Sequence, residues 1–392
     1  MKEVVAVSGV RTAIGTFGGT LKDCPAPDLM GLVIKEAMRR ANIAPETVGE
    51  VIVGQCMQRM DEVVTGRLAA LSAGLPITVP GVTIHRNCAS AMQSLIYGAQ
   101  QIMLGDQEII VAGGVEVMSR TPFLLHSARW GARFGHGALS DGLVEGLTDR
   151  SCGLIMGLTA ENLAAKYGIS REEQDEIACR SHNNAEAATN AGRFKDEILP
   201  VAIPQKKGDP LSFEKDEHFR PGMTIDQLSR LKPSFKKDGT VTPGNSSGIN
   251  DGAAAMVLMS ADKAKDLGLA PIAKLRGYGL AGVEPELMGY GPVPSTKQAL
   301  ERTGLKMEDI ELIELNEAFA AQYLACEKLM GFKRDICNVN GSGIALGHPV
   351  GCTGARIIIS LLGEMRRRGN SLGLATLCAG GGMGMSTIWE LV

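Results

Sequence analysis

The segment Ala37-Met38-Arg39-Arg40-Ala41-Asn42-Ile43, followed by Val48 and Val51-Ile52-Val53, is echoed by Ala299-Leu300-Glu301-Arg302-Thr303-Gly304-Leu305, followed by Ile310 and Ile313-Glu314-Leu315. The offset is a constant 262 residues (Ala37 to Ala299). A second match runs at an offset of 264 (Cys88 to Cys352): Cys88-Ala89-Ser90-Ala91 and Cys352-Thr353-Gly354-Ala355 each open a helical pattern that closes on a glycine, Gly105 or Gly369. A third sets Val111-Ala112-Gly113-Gly114 against Cys378-Ala379-Gly380-Gly381. Such offsets mean an internal duplication of a whole half-domain, too long a period for a solenoid. The chain is therefore constrained to fold as two similar halves. If these pack about a pseudo-two-fold axis, turns at matching places face one pocket.

Short β-branched or apolar runs at 4–7, 50–53, 108–112, 310–315 and 372–378 alternate with helical stretches such as 28–41 and 91–104. That alternation predicts an α/β fold with substantial parallel sheet. At 392 residues the chain exceeds what one hydrophobic core usually organises, so two or more core units are expected. Between the copies, roughly 118–244, lies a less regular insertion. It predicts a helix over 158–180, with a break near Gly168 and a restart at the capping box Ser170-Arg171-Glu172-Glu173. It also carries two basic clusters, Arg120 with Arg129 and Arg133, and Arg230 with Lys232, Lys236 and Lys237. Each reads either as a solvated loop face or as a contact for the phosphates of a ligand or for an acidic partner surface.

Composition removes several classes. With 44% hydrophobic residues, 21% charged residues and a net charge of −3, the chain is neither disordered nor drawn as a whole to nucleic acid. No apolar run reaches the roughly 18 residues that span a bilayer, so no membrane partner is expected and the cytoplasm is the simplest location. Nine cysteines without any Cys-x-x-Cys spacing fit reduced thiols better than a disulfide framework or a metal site.

Four segments concentrate chemistry. In Thr83-Ile84-His85-Arg86-Asn87-Cys88-Ala89-Ser90, a thiol stands at a helix start. There the macrodipole and unpaired N–H groups favour thiolate and lower the thiol pKa, the condition for a nucleophile; the bland alternative is a buried structural cysteine. Asn338 to Gly351 spends four of fourteen residues on glycine and holds His348 between Gly347 and Pro349, a constrained place for a catalytic imidazole. Leu377-Cys378-Ala379-Gly380-Gly381-Gly382-Met383-Gly384 ends a strand in a turn whose N–H groups suit an oxyanion hole, with a thiol beside them as acid or base. Asn316, in Glu314-Leu315-Asn316-Glu317-Ala318-Phe319, either caps a helix or positions a water or carbonyl. A polar turn, 241–252, suits ligand contacts better than catalysis. Two thiols and one imidazole around glycine-built turns suggest acyl transfer with carbon–carbon chemistry: one thiolate carries an acyl group, and the second thiol moves a proton beside a carbonyl.

Asn87-Cys88-Ala89-Ser90, Asn316-Glu317-Ala318-Phe319, Gly347-His348-Pro349 and Cys378-Ala379-Gly380-Gly381-Gly382 resemble, in order and over essentially the whole chain, the four signature blocks of the thiolases, the family of acetyl-CoA acetyltransferases and 3-ketoacyl-CoA thiolases. The resemblance implies a five-layered αβαβα fold from two duplicated halves, 1–117 with 247–269 and 270–392, plus a loop domain, 118–246, for coenzyme A binding and oligomer contacts. It implies acylation of Cys88, activation by His348, an oxyanion hole from His348 and a water on Asn316, and proton transfer at the α-carbon by Cys378. A second hole would come from the N–H groups of Cys88 and Gly380. Substrate and coenzyme A would meet Arg220, Ser247, Met156, Phe235, Ala318 and Phe319. Coenzyme A is then a co-substrate, with no permanently bound cofactor and no metal, and the family habit is a homotetramer built as a dimer of dimers.

Three positions depart from the family pattern. Ala91 replaces a common glycine beside the nucleophile, one extra methyl group that a helix tolerates and that leaves the pocket less room. Gly341-Ser342-Gly343 replaces a Gly-Gly pair. Ile155 stands where short-chain biosynthetic members tend to place histidine, which leaves room for longer acyl chains. Acetyl-CoA C-acetyltransferase is the expected activity. The alternatives are a broader-chain 3-ketoacyl-CoA thiolase of β-oxidation and a non-catalytic acyl-CoA- or lipid-binding relative.

Overall fold

The structure, a computed structural model, describes residues 1–131 and 134–392. The first copy runs β1 (Val4–Thr12), α1 (Ala26–Arg40), β2 (Glu50–Gly54), α2 (Thr65–Ser72), β3 (Gly81–Ile84), α3 (Ser90–Leu104) and β4 (Ile109–Val117). The insertion contributes α4 (Met156–Tyr167) and α5 (Arg171–Asn190), after which β5 (Asn250–Ser260) returns to the first sheet. The second copy follows as β6 (Ala273–Gly282), α6 (Pro292–Thr303), β7 (Leu312–Leu315), α7 (Ala320–Met330), α8 (Thr353–Arg368), β8 (Leu372–Ala379) and β9 (Met383–Leu391).

Hydrogen bonding orders these strands β7-β8-β9-β6-β1-β5-β4-β2-β3. The β1–β6 joint consists of two residue pairs, Val5 with Lys274 and Ala6 with Ala273, so the row is two sheets meeting at a narrow edge. β2 lies parallel to β3 and β4, and β7 to β8. The β1–β5, β4–β5, β6–β9 and β8–β9 ladders are antiparallel. The sheets are therefore mixed, where alternation alone predicted a mainly parallel arrangement; in each copy one long strand, β5 or β9, returns against its predecessor.

Alternation along the strands assigns their faces. Val51 and Val53 pack under α1 and α2 with Leu29, Met30 and Val33, whereas Ile52 turns to the opposite side. There α3 and α8 lie between the sheets, with Met92, Leu95, Ile358 and Leu361 against Met256 and Leu377. Beyond the second sheet, Ile313, Leu374 and Ile388 meet Tyr323 of α7 and Leu163 and Ile177 of the insertion. The result is five layers, αβαβα, with the two central helices largely buried between the sheets.

The copies correspond strand by strand, with one correction. Val51 pairs with Val111 and its counterpart Ile313 pairs with Leu374, so Val111 matches Leu374 at an offset of 263 (Val111 to Leu374). The Val111–Cys378 match is four residues out of register. Its Ala-Gly-Gly text lies inside strand β4 but at the end of β8, where that strand stops in a hairpin. The counterpart of β3 shrinks to a single bridge, Ile313 with Cys337.

In the insertion, α4 ends on Gly168 in the left-handed conformation, and α5 starts with both halves of the Ser170–Glu173 capping box formed. The helix continues past the predicted 180 to Asn190. Arg120 is bonded to Glu62 at 2.8 Å, and Arg230 pairs with Asp226. Arg129 sits on an exposed turn, and Arg133 lies outside the described residues. All nine cysteines are free.

Arg11 of β1 fastens the insertion to the core. Fully buried, it donates from Nη1 and Nη2 to both oxygens of Asp216 (2.7 and 3.0 Å) and from Nε to Glu197 Oε1 (2.7 Å). Removing it leaves two carboxylates buried without their cation. Arg11→Met is expected to cost about 3–5 kcal/mol of unfolding free energy, read by chemical denaturation; a loss below about 1 kcal/mol would mean that other contacts hold the insertion in place.

Candidate active site

Asn87, at φ +45°, bends the chain just before α3 and places Cys88 outside the helix, whose N-cap is Ala89. Three bonds set this bend. Ser90 Oγ accepts from the Arg86 N–H (2.8 Å) and donates to Asn87 O (2.6 Å), and Asn87 Nδ2 donates to Gly380 O (2.7 Å). The last bond ties the thiol loop of the first copy to the glycine turn of the second. A cavity of about 170 Å3 opens there, lined by Cys88, Gly380, Gly381, Met57, Met156 and Val350 among others. Val350, from the turn that holds His348, lines the same cavity, though His348 itself does not.

His348 reaches this region from the second copy. Gly347 before it has φ +102°, and a Cβ there would lie 2.6 Å from Asn250 Cγ, so glycine is required twice over. Asn250 accepts the His348 N–H at Oδ1 (2.9 Å) and donates from Nδ2 to Gly15 O (3.0 Å), anchoring the turn to the first half. The imidazole Nδ1 stands 2.7 Å from Thr353 Oγ1, and Nε2 stands 3.4 Å from Asn316 Nδ2. Burial, helped by the Arg356 charge, lowers the His348 pKa to about 3, so the ring is neutral near pH 7. Asn316 caps no helix, because α7 starts at Ala320 after Phe319; its Oδ1 is buried without a partner.

The thiols differ from the sequence expectation. Burial raises the Cys88 pKa to about 11, against the N–H groups of Gly380 and of Cys88 itself, and the Glu116 charge adds to the rise. Cys88 precedes the helix and is partly buried, so desolvation outweighs the helix-start effect. Cys378, at the end of β8, is fully buried and pushed well above the usual thiol range by burial, then by the neighbouring Cys88 and Cys326. Near neutral pH the unliganded site thus holds two thiols and a neutral imidazole.

The substrate residues expected from the resemblance fall into two groups. The Ser247 N–H donates to Ala318 O (2.9 Å), and Phe319 meets Phe235 edge to face at 6.3 Å. The Phe235 ring covers Gly157, leaving no room for a side chain there, and Met156 Sδ would lie 3.3 Å from a Cβ on Gly380. These side chains form one wall ending at the Gly380 turn. Arg220 lies elsewhere: its N–H donates to His182 Nδ1 (3.2 Å), and it lines a different cavity with Met223 and Leu231. Neither Ala91 nor Ile155 lines the Cys88 cavity. Ala91 is fully buried, and a Cβ on Gly114 would lie 2.7 Å from its own Cβ, so its methyl group faces the sheet and not the pocket.

Two residues escaped the sequence reading. Glu116, fully buried in β4, accepts from the N–H groups of Cys56 (2.9 Å), Met57 (3.0 Å) and Gly351 (2.9 Å), joining the cavity wall of one copy to the His348 loop of the other. Burial raises its carboxyl pKa to about 7 despite these donors. An acid inside the otherwise apolar run Ile109–Val117 was the available signal. Asp149 lines the cavity; burial favours its neutral form, but Ser151 and the Gly381 N–H overcome this and hold the carboxyl below its usual range.

Fold and site together define an enzyme of the acyltransferase class. The models of the thiolase N-terminal domain and the thiolase C-terminal domain match residues 4–262 and 269–391, and the chain belongs to the thiolase family. It is 52% identical to an acetyl-CoA acetyltransferase of Cupriavidus necator over 391 residues, all of both chains, and 49% identical to the beta-ketothiolase BktB of the same organism over 393 residues, again all of both. A Bacillus anthracis acetyl-CoA acetyltransferase structure superposes with a TM-score of 0.98 at 50% identity, covering 100% of this chain and 99% of that one. Human mitochondrial 3-ketoacyl-CoA thiolase in complex with CoA superposes at 0.96 with 42% identity, covering 100% and 98%.

A thiol whose pKa is raised, in a site whose imidazole is neutral, has a kinetic signature. Alkylation of Cys88 by iodoacetamide in the unliganded protein should climb about tenfold per pH unit from neutrality toward the thiol pKa. A rate that is flat above pH 7 would instead mean a preformed thiolate.

Proposed function

We propose that the protein is an acyl-CoA C-acyltransferase that condenses two acyl-CoAs and, in reverse, cleaves a 3-ketoacyl-CoA with coenzyme A, with acetyl as the transferred group. The observation that carries this reading is the meeting of Cys88 with the Gly380 turn beside a second buried thiol, Cys378. A hydrolase needs one thiol; carbon–carbon bond formation gives work to two.

In the proposed sequence, His348 Nε2 takes the Cys88 proton as sulfur attacks the thioester carbonyl of the first acyl-CoA. His348 and a water on Asn316 steady the oxygen as its charge grows; coenzyme A leaves as a thiol, taking the Cys378 proton as its bond breaks, so that the acyl group stays on Cys88 and Cys378 is left as the thiolate. Cys378 then removes an α-proton from the second acyl-CoA, whose thioester oxygen lies on the N–H groups of Cys88 and Gly380. The resulting carbanion attacks the acyl carbonyl and expels Cys88, which takes its proton back from His348, and yields the 3-ketoacyl-CoA; every step reverses in thiolysis. Thiols with pKa values this high give up their protons only as a bond to the substrate forms or breaks.

The wall of Met156, Phe235, Ala318 and Phe319 suits a pantetheine arm, with Ser247 beside it and Arg220 farther out for coenzyme A. Residues 118–246 are the unit we assign to coenzyme A and to contacts between subunits, in a homotetramer built as a dimer of dimers. No helix among the described residues is long and apolar enough to cross a membrane, in keeping with a cytoplasmic enzyme. A broader chain range is a second reading with its own support. A cavity of about 150 Å3 suffices for benzene, so about 170 Å3 between Met57, Leu147, Met156 and Val350 exceeds the need of an acetyl group.

Mixing the protein with acetyl-CoA is expected to add one acetyl group to Cys88 by intact mass, and Cys88→Ala should abolish that species; acylation of the variant would refute the nucleophile assignment. Across 3-ketoacyl-CoAs of increasing length, kcat/KM should fall on the order of 10- to 100-fold once the chain outgrows the cavity. A loss immediately beyond the four-carbon substrate would leave only the acetyl reading.

A further inference from the structure

Thr353 is the first residue of α8, and its side chain is fully buried against the imidazole of His348. Its hydroxyl carries one proton and has two neighbours, Pro349 O at 3.0 Å and His348 Nδ1 at 2.7 Å. With the hydroxyl donating to Pro349 O, its oxygen accepts from Nδ1, and in that arrangement Nδ1 carries the ring proton. On the other side of the ring, Asn316 points an amide N–H toward Nε2, an orientation that suits a lone pair and opposes a second N–H. Both neighbours therefore select the same tautomer.

We propose that Thr353 is a positioning residue that holds His348 in the Nδ1–H tautomer, so that the Nε2 lone pair faces the nucleophile side of the site as its base. The inference rests on the acyl-transfer reading above. Pro349 O also accepts the N–H groups of Cys352 (2.9 Å) and Thr353 (3.0 Å), so the helix start, the hydroxyl and the ring form one rigid unit. The His348 backbone N–H is fixed separately by Asn250. Loss of the hydroxyl thus frees the ring proton to move to Nε2 while the backbone of the turn stays in place. With Nε2 protonated, the ring has no lone pair for the Cys88 proton, and acylation stalls before carbon–sulfur bond formation.

The tautomer is measured directly by long-range 1H–15N correlation on histidine-labelled, substrate-free protein, where a protonated and an unprotonated ring nitrogen resonate far apart. The chain has six histidines, and the His348 signals are the ones lost in His348→Asn. An unprotonated Nε2 is expected in the wild type; a protonated Nε2 there overturns the proposal. Thr353→Val and Thr353→Ala should each slow acetyl transfer to Cys88 on the order of 10- to 100-fold with KM within about twofold, while Thr353→Ser recovers most of the rate. Alanine adds no bulk, so it decides the matter if the valine variant unfolds; a Thr353→Ala enzyme acylated at the wild-type rate overturns the proposal. Failure of the function itself looks different: wild-type protein would then turn over neither acetyl-CoA nor acetoacetyl-CoA, whatever its tautomer.

Discussion

The site depends on how closely the starts of the two central helices approach each other. A Cβ on Gly354 of α8 would fall 2.8 Å from Met92 Cβ on α3, and one on Gly351 would fall 2.6 Å from Glu116 Oε2. Glycine at these places removes the atoms that would otherwise hold the halves apart, and overpacking here would cost on the order of 1–3 kcal/mol per methyl group. The same contact explains Ala91. Its methyl group occupies the space left by Gly114 on the neighbouring strand, so the seam accommodates one side chain where the partner residue has none.

Bringing the halves together also buries charge, which adds to what burial does to the titratable groups of the site. Arg356 of α8 lies 3.7 Å from Glu314, both inside the molecule, and Glu314 is pushed up to about 8 by burial against the arginine's pull. Such a pair is a poor source of stability, because desolvation consumes most of the Coulomb gain. Its effect on the site is electrical: a fixed cation behind His348 opposes a second positive charge on the ring. The imidazole is consequently neutral at pH values where water would protonate it, and the two thiols keep their protons.

Much of this was legible in the sequence, and the exceptions share a cause. The duplication, the break at Gly168 with the Ser170 restart, and the gathering of Cys88, His348, Cys378 and Asn316 at a seam follow from periodicity and from where glycines cluster. Those are local properties of the chain. The Cys88 pKa was read in the wrong direction because a helix-start argument counts the dipole and omits burial, and burial is a tertiary property. The Val111–Cys378 match erred because identical small-residue text suits both a strand interior and a turn. Thr353 looked like one more helix-opening residue; only the fold reveals the imidazole against its hydroxyl. Glu116 alone left a usable trace, an acid in a nine-residue apolar strand.

The division of chemistry between the copies follows from the same geometry. A helix start can offer a nucleophile or hold the base that activates it, but one loop cannot place both in line with a carbonyl between them. Two copies facing each other supply two such loops at a separation fixed by helix packing. The first keeps the Cys88 thiol, with Asn87 reaching across to Gly380. The second keeps the imidazole, with Asn250 of the first half holding its backbone. Each copy thus anchors a catalytic loop of the other. For that reason neither half on its own would retain a weakened version of the site, since the bonds that shape each loop end on the opposite half.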